Sequence, residues 1–168
     1  KALEIRRKVL GEDHPDTAMS YNNLAMNLIA QGKAAEAQPL FEKALEIRRK
    51  VLGEDHPDTA ASYNSVAMNL NAQGKAAEAQ PLVQKALDIY LKVLGGDHTA
   101  TATSYNNVAA NLEDQGKAAE AAPLYQKALA IRLKVLGEDH HDTATSYNNV
   151  AFNLQRQGKA AEAGPLFQ

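Results

Sequence analysis

The chain has 168 residues, a formal net charge of −2, and neither cysteine nor tryptophan. Disulfides and thiolate metal sites are therefore excluded, and there is no bulk electrostatic pull toward nucleic acid or an anionic membrane. No stretch reaches the roughly 18 apolar residues that a membrane span needs, no signal peptide is visible, and the lack of cysteine suits a cytoplasmic, intracellular setting.

A period of 42 residues organises everything else, and 168 is four such units. "KVLG" recurs at Lys8, Lys50, Lys92 and Lys134, and "QGKAAEA" at Gln31, Gln73, Gln115 and Gln157. Taken in chain order, Lys1 to Leu10 reads as the later half of a helix, and a start at Lys1 without methionine reads as a fragment. Helix pairs are then expected over about 16–52, 58–94, 100–136 and 142–168. In the second pair, Tyr63, Val66, Ala67 and Leu70 mark the buried stripe of the first helix. Ala79, Leu82, Val83, Ala86, Leu87, Ile89, Val93 and Leu94 mark that of the second. Gly74 and Gly95 are expected to end the two helices in the same left-handed way.

Between pairs lies "GEDHPDT", with Pro57 suited to the first helical turn and Asp58 to the positive end of the helix dipole. The third copy reads "GGDHTAT", so Gly95 to Thr101 is expected to be the softest junction. Pro39, Pro81, Pro123 and Pro165 each fall early in a second helix, where a kink rather than an end is expected because the apolar stripe continues. A helix pair of this size cannot bury both faces alone, so stacked pairs forming an all-α solenoid are expected.

The pattern "HPDTA-SYN-(L/V)A-NL--QGK-AEA-PL(F/Y)-KAL-IR-KVLG" resembles the long tetratricopeptide repeats of kinesin light chain-like and nephrocystin-3-like proteins. The shared positions are Tyr21, Leu24, Ala25, Gly32, Ala37, Phe41 and Ala44, with their copies. The proline that usually ends the second helix is replaced by Arg49, and the helix is expected to run on through Leu52. The resemblance implies a right-handed solenoid that binds other proteins. First helices would line a concave groove holding an extended peptide or a partner helix, and second helices would face outward.

On the helical wheel of the first unit, Tyr21, Leu24, Ala25 and Leu28 are core. Asn22, Ile29, Met19, Met26, Ala30 and Asn23 fill the arc that the family turns toward its groove. The copies of this arc vary. One column reads Ile29, Asn71, Glu113, Gln155, another Met26, Met68, Ala110, Phe152, and a third Ala30, Ala72, Asp114, Arg156. The column Asn22, Asn64, Asn106, Asn148 never changes. A carboxamide can pair with both the N–H and the C=O of a peptide, so this column is read as a sequence-independent ladder. Met26, Met68 and Phe152 would supply apolar pockets, and Asn71, Glu113 and Gln155 copy-specific contacts. The second invariant column, Asn27, Asn69, Asn111 and Asn153, is read as tying helices together.

Other signals carry little chemistry. Glu54, Asp55, His56 and Asp58 are what a helix start wants and are not read as a metal site; "QGKAA" lacks the frame of a phosphate loop. "IRRK" at Ile5 and Ile47 is read as a solvated face, with Glu4–Lys8 and Glu46–Lys50 spaced to pair. A near-perfect repeat offers no unique catalytic constellation, so no enzyme, cofactor or metal is expected. The alternative to a binding scaffold is a structural spacer or self-assembling array. Leu3, Ile5, Leu166 and Phe167 at the two ends are expected to be exposed in either case, and chains are expected to abut head to tail at high concentration.

Overall fold

The computed structural model describes residues 1–167. Among them are nine α-helices, one 3₁₀ turn and no strand. The elements are α1 (Ala2–Leu10), α2 (Pro15–Ala30), α3 (Ala34–Leu52), α4 (Pro57–Ala72), α5 (Ala76–Leu94), α6 (Thr99–Asp114), α7 (Ala118–Leu136), α8 (His141–Arg156), α9 (Ala160–Ala163) and the 3₁₀ turn Gly164–Phe167. The chain divides within α5 into two compact units, Lys1–Ile89 and Tyr90–Gln168. In the first, α1 packs on α2, α2 on α3 and α3 on α4. In the second, α6 packs on α7, α7 on α8 and α8 on α9.

The even helices begin with a cap that the sequence pattern does not announce. The Nδ1 atoms of His14, His56, His98 and His140 accept the N–H two residues on, at 3.0–3.1 Å. Imidazole here does the work usually given to Ser, Thr, Asp or Asn. These helices end in Schellman motifs. The N–H of Lys33, Lys75, Lys117 and Lys159 reaches the carbonyl five residues back at 2.9 Å. The glycine before each lysine takes φ of 74–77°, a conformation that a side chain would strain.

The odd helices end differently, contrary to expectation. Gly53 has φ 90° and ψ 168°, so the chain leaves α3 extended rather than in a left-handed turn. That direction brings the Gly53 carbonyl over the next helix, where the buried Thr59 hydroxyl donates to it at 2.8 Å. The same tether joins Thr17 to Gly11, Thr101 to Gly95 and Thr143 to Gly137, at 2.7–2.8 Å. All four threonines are fully buried.

Alanines dominate the core because helices this close leave no room for more. Ala25, Ala37, Ala67, Ala79, Ala109, Ala121 and Ala151 have no exposed surface, and larger groups such as Phe41 and Ile47 fill the gaps between them. Tyr63, Val66, Ala67 and Leu70 are buried as their spacing predicts. Two expectations fail. Val93 is 44% exposed, as are Val51 and Val135 in its column, at 43% and 44%. Leu24 is 41% exposed, although Val66, Val108 and Val150 in its column are buried. Among the chain ends, Ile5 and Phe167 are exposed, whereas Leu3 packs partly onto the Ala18–Tyr21–Ala44–Ile47 cluster and Leu166 is half-buried.

Pro39, Pro81 and Pro123 lie inside uninterrupted helices. Pro165 does not: α9 stops at Ala163 and the chain tightens into a 3₁₀ turn. Gly164 stands where Gln38, Gln80 and Ala122 stand in the other copies, and glycine followed by proline favours leaving the α-helix.

The arginines of "IRRK" are not a solvated face. Arg48 Nη1 donates to the Asp58 carbonyl (3.1 Å) and to Ser62 Oγ (2.9 Å) on the following helix. Arg6 holds Asp16 and Ser20 in the same way, and Arg132, which is buried, holds Asp142 and Ser146. Arg49 instead meets Glu54, Lys50 reaches Asp13, and Glu46 pairs with Lys43. Glu54 also accepts the Tyr63 hydroxyl at 2.6 Å.

The junction at Gly95–Thr101 keeps its histidine cap and threonine tether but loses two of these clamps. Tyr90 stands in the arginine column, and the buried Ser104 Oγ has no partner. Gly96 stands where Glu54 stands, so Tyr105 meets no carboxylate at that position.

Removing a clamped hydroxyl and an orphaned one should therefore have different effects. Ser62→Ala should lower stability by about 1 kcal/mol, the net value of a typical hydrogen bond, whereas Ser104→Ala should be neutral or stabilising. Urea unfolding of both variants against the parent chain checks this.

The Tyr63–Glu54 pair sets a second expectation. Burial, then the Glu54 bond, pushes the Tyr63 hydroxyl up to about 12. The hydrogen bond from Tyr63, followed by that from Arg49, holds the Glu54 carboxyl below its usual range. The raised tyrosine contributes stability below its unfolded pKa of about 10, which is lost as pH climbs through the folded value. The depressed glutamate contributes above its unfolded pKa, and that is lost as pH falls through its lower folded value. Tyr63→Phe should weaken the fall in melting temperature on both the acid and the alkaline limb, read by circular dichroism across pH.

Candidate functional site

In the first unit, the residues assigned to the groove lie on α2 and α4. Asn22, Asn64 and Asn71 are half-buried, and Met26 and Met68 are 43% and 42% exposed. Met19, one helical repeat before Met26, is also exposed. Large unbranched thioethers left in water on adjacent helices form an adaptable apolar surface. In the second unit, the corresponding residues lie on α6 and α8. Asn106 is half-buried, Glu113 lies deeper with its side chain 10% exposed, and Asn148, Phe152 and Gln155 are exposed.

The two asparagine columns behave differently, and the reason is local. In the Asn27 column, Asn69, Asn111 and Asn153 are fully enclosed. Asn69 Nδ2 donates to Gln38 Oε1 on α3. Asn153 Nδ2 donates to Glu113 Oε1 (2.6 Å) and to the Ala118 carbonyl (2.9 Å), while its Oδ1 accepts from Gln157. Asn69 and Asn153 join a first helix to the preceding repeat. Asn27 itself is exposed and bonds only Gln31 on its own helix turn. In the Asn22 column the Oδ1 atoms of Asn64 and Asn106 are buried and have no partner, and in the other column the same holds of Asn69 Oδ1. A buried acceptor without a donor costs about 1–3 kcal/mol, so two in equivalent places call for an explanation.

A cleft of about 470 Å³ opens in the second unit between α6, α7 and α8. Glu113, Tyr125, Asn149, Phe152, Gln155 and Arg156 line it. Glu113 lies at its floor with a side chain only 10% exposed. Its Oε1 takes the close bond from Asn153, and its Oε2 has only longer contacts, Tyr125 Oη at 3.3 Å and Arg156 Nε at 3.6 Å. Burial, reinforced by the Glu113 charge, pushes the Tyr125 hydroxyl well above the usual tyrosine range, so it stays a neutral donor. Phe152 forms one wall and meets Phe167 edge-on, with ring centroids 5.2 Å apart.

Of the residues assigned from sequence, Glu113, Phe152 and Gln155 thus share one cleft. Tyr125 and Asn149, and Arg156 as a wall of that cleft, are not among the assigned contacts. A signal exists for Arg156 and Tyr125. The Glu113 and Arg156 columns change to opposite charges in adjacent copies, and the Tyr125 column changes from Phe41 and Val83 to a hydroxyl-bearing ring. Among the described residues, no group of three or more His, Asp or Glu is placed to hold a metal ion. Nor is any helix among them long and apolar enough to cross a membrane.

Comparison with known proteins accounts for the stacking pattern. The tetratricopeptide repeat profile matches residues 1–50, 16–92, 58–134 and 101–168, which together cover the chain. The chain belongs to the tetratricopeptide repeat family. Among solved structures it is similar to the nearly identical TPR-like repeats of a Podosopora anserina protein designated a kinesin light chain. That match has TM-score 0.82 and 29% identity over 91% of this chain and 72% of the other. A single-substitution variant of those repeats matches at TM-score 0.81 and 30% identity, over 98% and 77% of the two chains. BtubC (BKLC) from P. vanneervenii matches at TM-score 0.81 and 22% identity over 96% and 65%, a likeness of fold. Comparison with curated proteins returns no match. The kinesin light chain-like tetratricopeptide repeat is thus an α-solenoid unit, here of the 42-residue type.

The buried asparagines should separate from the exposed one by stability. Asn153→Ala should cost about 2 kcal/mol, because Glu113 and Gln157 lose their partner inside the fold, whereas Asn27→Ala should stay within about 0.5 kcal/mol. Guanidinium unfolding midpoints of the two variants provide the comparison.

Proposed function

We propose that this chain holds an extended peptide, or a partner helix, against its first helices, using the Asn22 column to pair with ligand backbone. Tetratricopeptide repeats mediate protein–protein interaction as a class, and are scaffolds rather than catalysts. The observation that carries the finer reading is the pair of buried, unpartnered acceptors at Asn64 and Asn106. In the Asn27 column, Asn69 and Asn153 donate through Nδ2 to the preceding repeat, although Asn69 Oδ1 too is left without a partner. Carboxamides at one position in all four copies, two of them with a buried unpaired acceptor, fit a backbone-reading role. Each unit offers two such residues, Asn22 with Asn64 and Asn106 with Asn148. In the first unit, Met26 and Met68 beside them give apolar side chains a place to settle. Asn71, Glu113, Phe152 and Gln155 differ between copies and would set which residues are preferred at each step.

The rival reading is a spacer or self-assembling array. Exposed Leu24, Val51 and Val135 favour it, since apolar surface of that kind is covered when chains pack together.

Panning a random peptide library against the parent chain separates the two, with Asn64→Ala/Asn106→Ala as the control. Enriched peptides should bind the parent and lose about tenfold or more in the double variant, the sum of two lost hydrogen bonds. Peptides that bind both proteins equally would overturn the ladder. No enrichment by either folded protein would leave the assembly reading in its place.

A further inference from the structure

The cleft floored by Glu113 differs from everything else in the repeat. The first two copies differ at only six of 42 positions, counted over Lys1–Glu42 and Lys43–Gln84. Against that near-identity, the positions of Glu113, Tyr125 and Arg156 form a set found in no other copy. The equivalent set one copy earlier is Asn71, Val83 and Asp114, and one earlier still Ile29, Phe41 and Ala72. A carboxylate, a hydroxyl to bond it and a guanidinium facing it have arisen together around one opening.

The charges in that opening are unequally fixed. Glu113 is nine-tenths buried and anchored through Oε1 by Asn153. Arg156 is 58% exposed, and its Nε stands 3.6 Å from Oε2, outside good hydrogen-bond range. Tyr125, at 3.3 Å, is also a long partner. Oε2 is therefore a buried anionic acceptor whose donors are loose, in a cleft of about 470 Å³ open to solvent. Asp114 adds a second negative charge near enough to act on Tyr125. Against Glu113 and Asp114 stands one mobile cation. A ligand carboxylate would have to approach the fixed charge of its own sign. A ligand cation needs only that Arg156 swing outward, which its exposure permits. The Phe152 ring, 54% exposed, lines the same opening, and aromatic rings attract ammonium and guanidinium groups.

We infer that this cleft receives a lysine or arginine side chain of the bound protein, with Glu113 Oε2 as acceptor, Phe152 as wall and Arg156 as the intramolecular group displaced. This rests on the protein-binding reading above but not on the asparagine ladder, because a single amino acid can occupy the cleft. In the unliganded chain, Arg156 partly neutralises a carboxylate that would otherwise be buried alone.

The test uses the whole chain and small probes with blocked termini, followed by two-dimensional amide NMR. N-acetyl-arginine methylamide and N-acetyl-lysine methylamide should shift the signals of Glu113, Phe152 and Arg156 saturably, and N-acetyl-glutamate methylamide should not. Arg156→Ala, at an exposed position, should tighten the cationic probes about threefold, the scale of one surface charge pair. Glu113→Gln should abolish their shifts, with circular dichroism confirming the fold. Glutamate shifting the same signals as strongly, or no cation-selective shift in either the parent or Arg156→Ala, would overturn the inference. Loss of the probe response with peptide binding intact would sink this cleft alone. Loss of peptide binding in the asparagine variant, with the probe response intact, would leave it standing.

Discussion

The hydroxyl of a buried threonine, donating to the carbonyl of the glycine six residues before it, is the constraint on which each repeat depends. Thr59 and Gly53 show why. A helix that ends on an ordinary residue lets the chain leave in many directions. Gly53, with φ at 90° and ψ near extended, turns the carbonyl toward the start of the next helix, and Thr59 locks it there. His56 then caps that start through Nδ1, and Arg48 crosses from the preceding helix to Ser62 and the Asp58 carbonyl. Three side chains thus satisfy backbone groups that a helix terminus leaves open, and two of them, Thr59 and Arg48, also fix one helix against another. The loop is polar in composition but functions as a joint.

That joint lets the core be made of alanine. Alanine contributes little apolar area, so its advantage is close approach, which is useful only if the helices are already held at one angle and depth. With the angle fixed by Thr, His and Arg, columns such as Ala25, Ala67, Ala109 and Ala151 can sit at zero exposure. The same arrangement determines which residues of α2, α4, α6 and α8 remain outside. Tyr63, Val66, Ala67 and Leu70 turn inward, and Asn64 and Met68 are left at the margin or in solvent. The surface available to a partner follows from the joint and is not an independent feature.

Helix bounds were legible because a 3.6-residue period bounded by glycine and proline is a strong local signal, and Ala76–Leu94 matches its expected range. Features that depend on a second element were not. Whether Arg48 faces water or Ser62 depends on a helix that begins nine residues later, and periodicity on its own helix cannot say. Leu24 carries the same local pattern as Val66, yet stays exposed because burial depends on what lies across from it. The histidine caps were hidden because imidazole is rarely given that role, so "EDHPD" reads as charge rather than as an acceptor aimed at Asp58 N–H. The column read as tying helices together does so at Asn69 and Asn153, which are bonded to the helix before them, but not at Asn27, which has no earlier pair to meet and bonds its own turn.

Within a chain of near-copies, departures from the repeat fall into two physical kinds. Some remove a partner and put nothing in its place. Tyr90 in the arginine column leaves Ser104 Oγ buried and unbonded, and Gly96 supplies no carboxylate for Tyr105. The unbonded Ser104 hydroxyl costs stability, whereas the Tyr105 ring takes Lys127 over its face, 5.5 Å from the centroid. Others change in concert. Among the residues of the earlier copies Glu113 would keep only the invariant asparagine as a donor. Here Tyr125 and Arg156 are directed at its second oxygen as well. Independent drift gives departures of the first kind, because each loss is tolerated separately. A carboxylate in a cleft is tolerated only when its donors are present as well. The coordination around Glu113 therefore marks a place where the repeat has acquired chemistry of its own. The looseness of its second oxygen makes that chemistry available to something outside the fold.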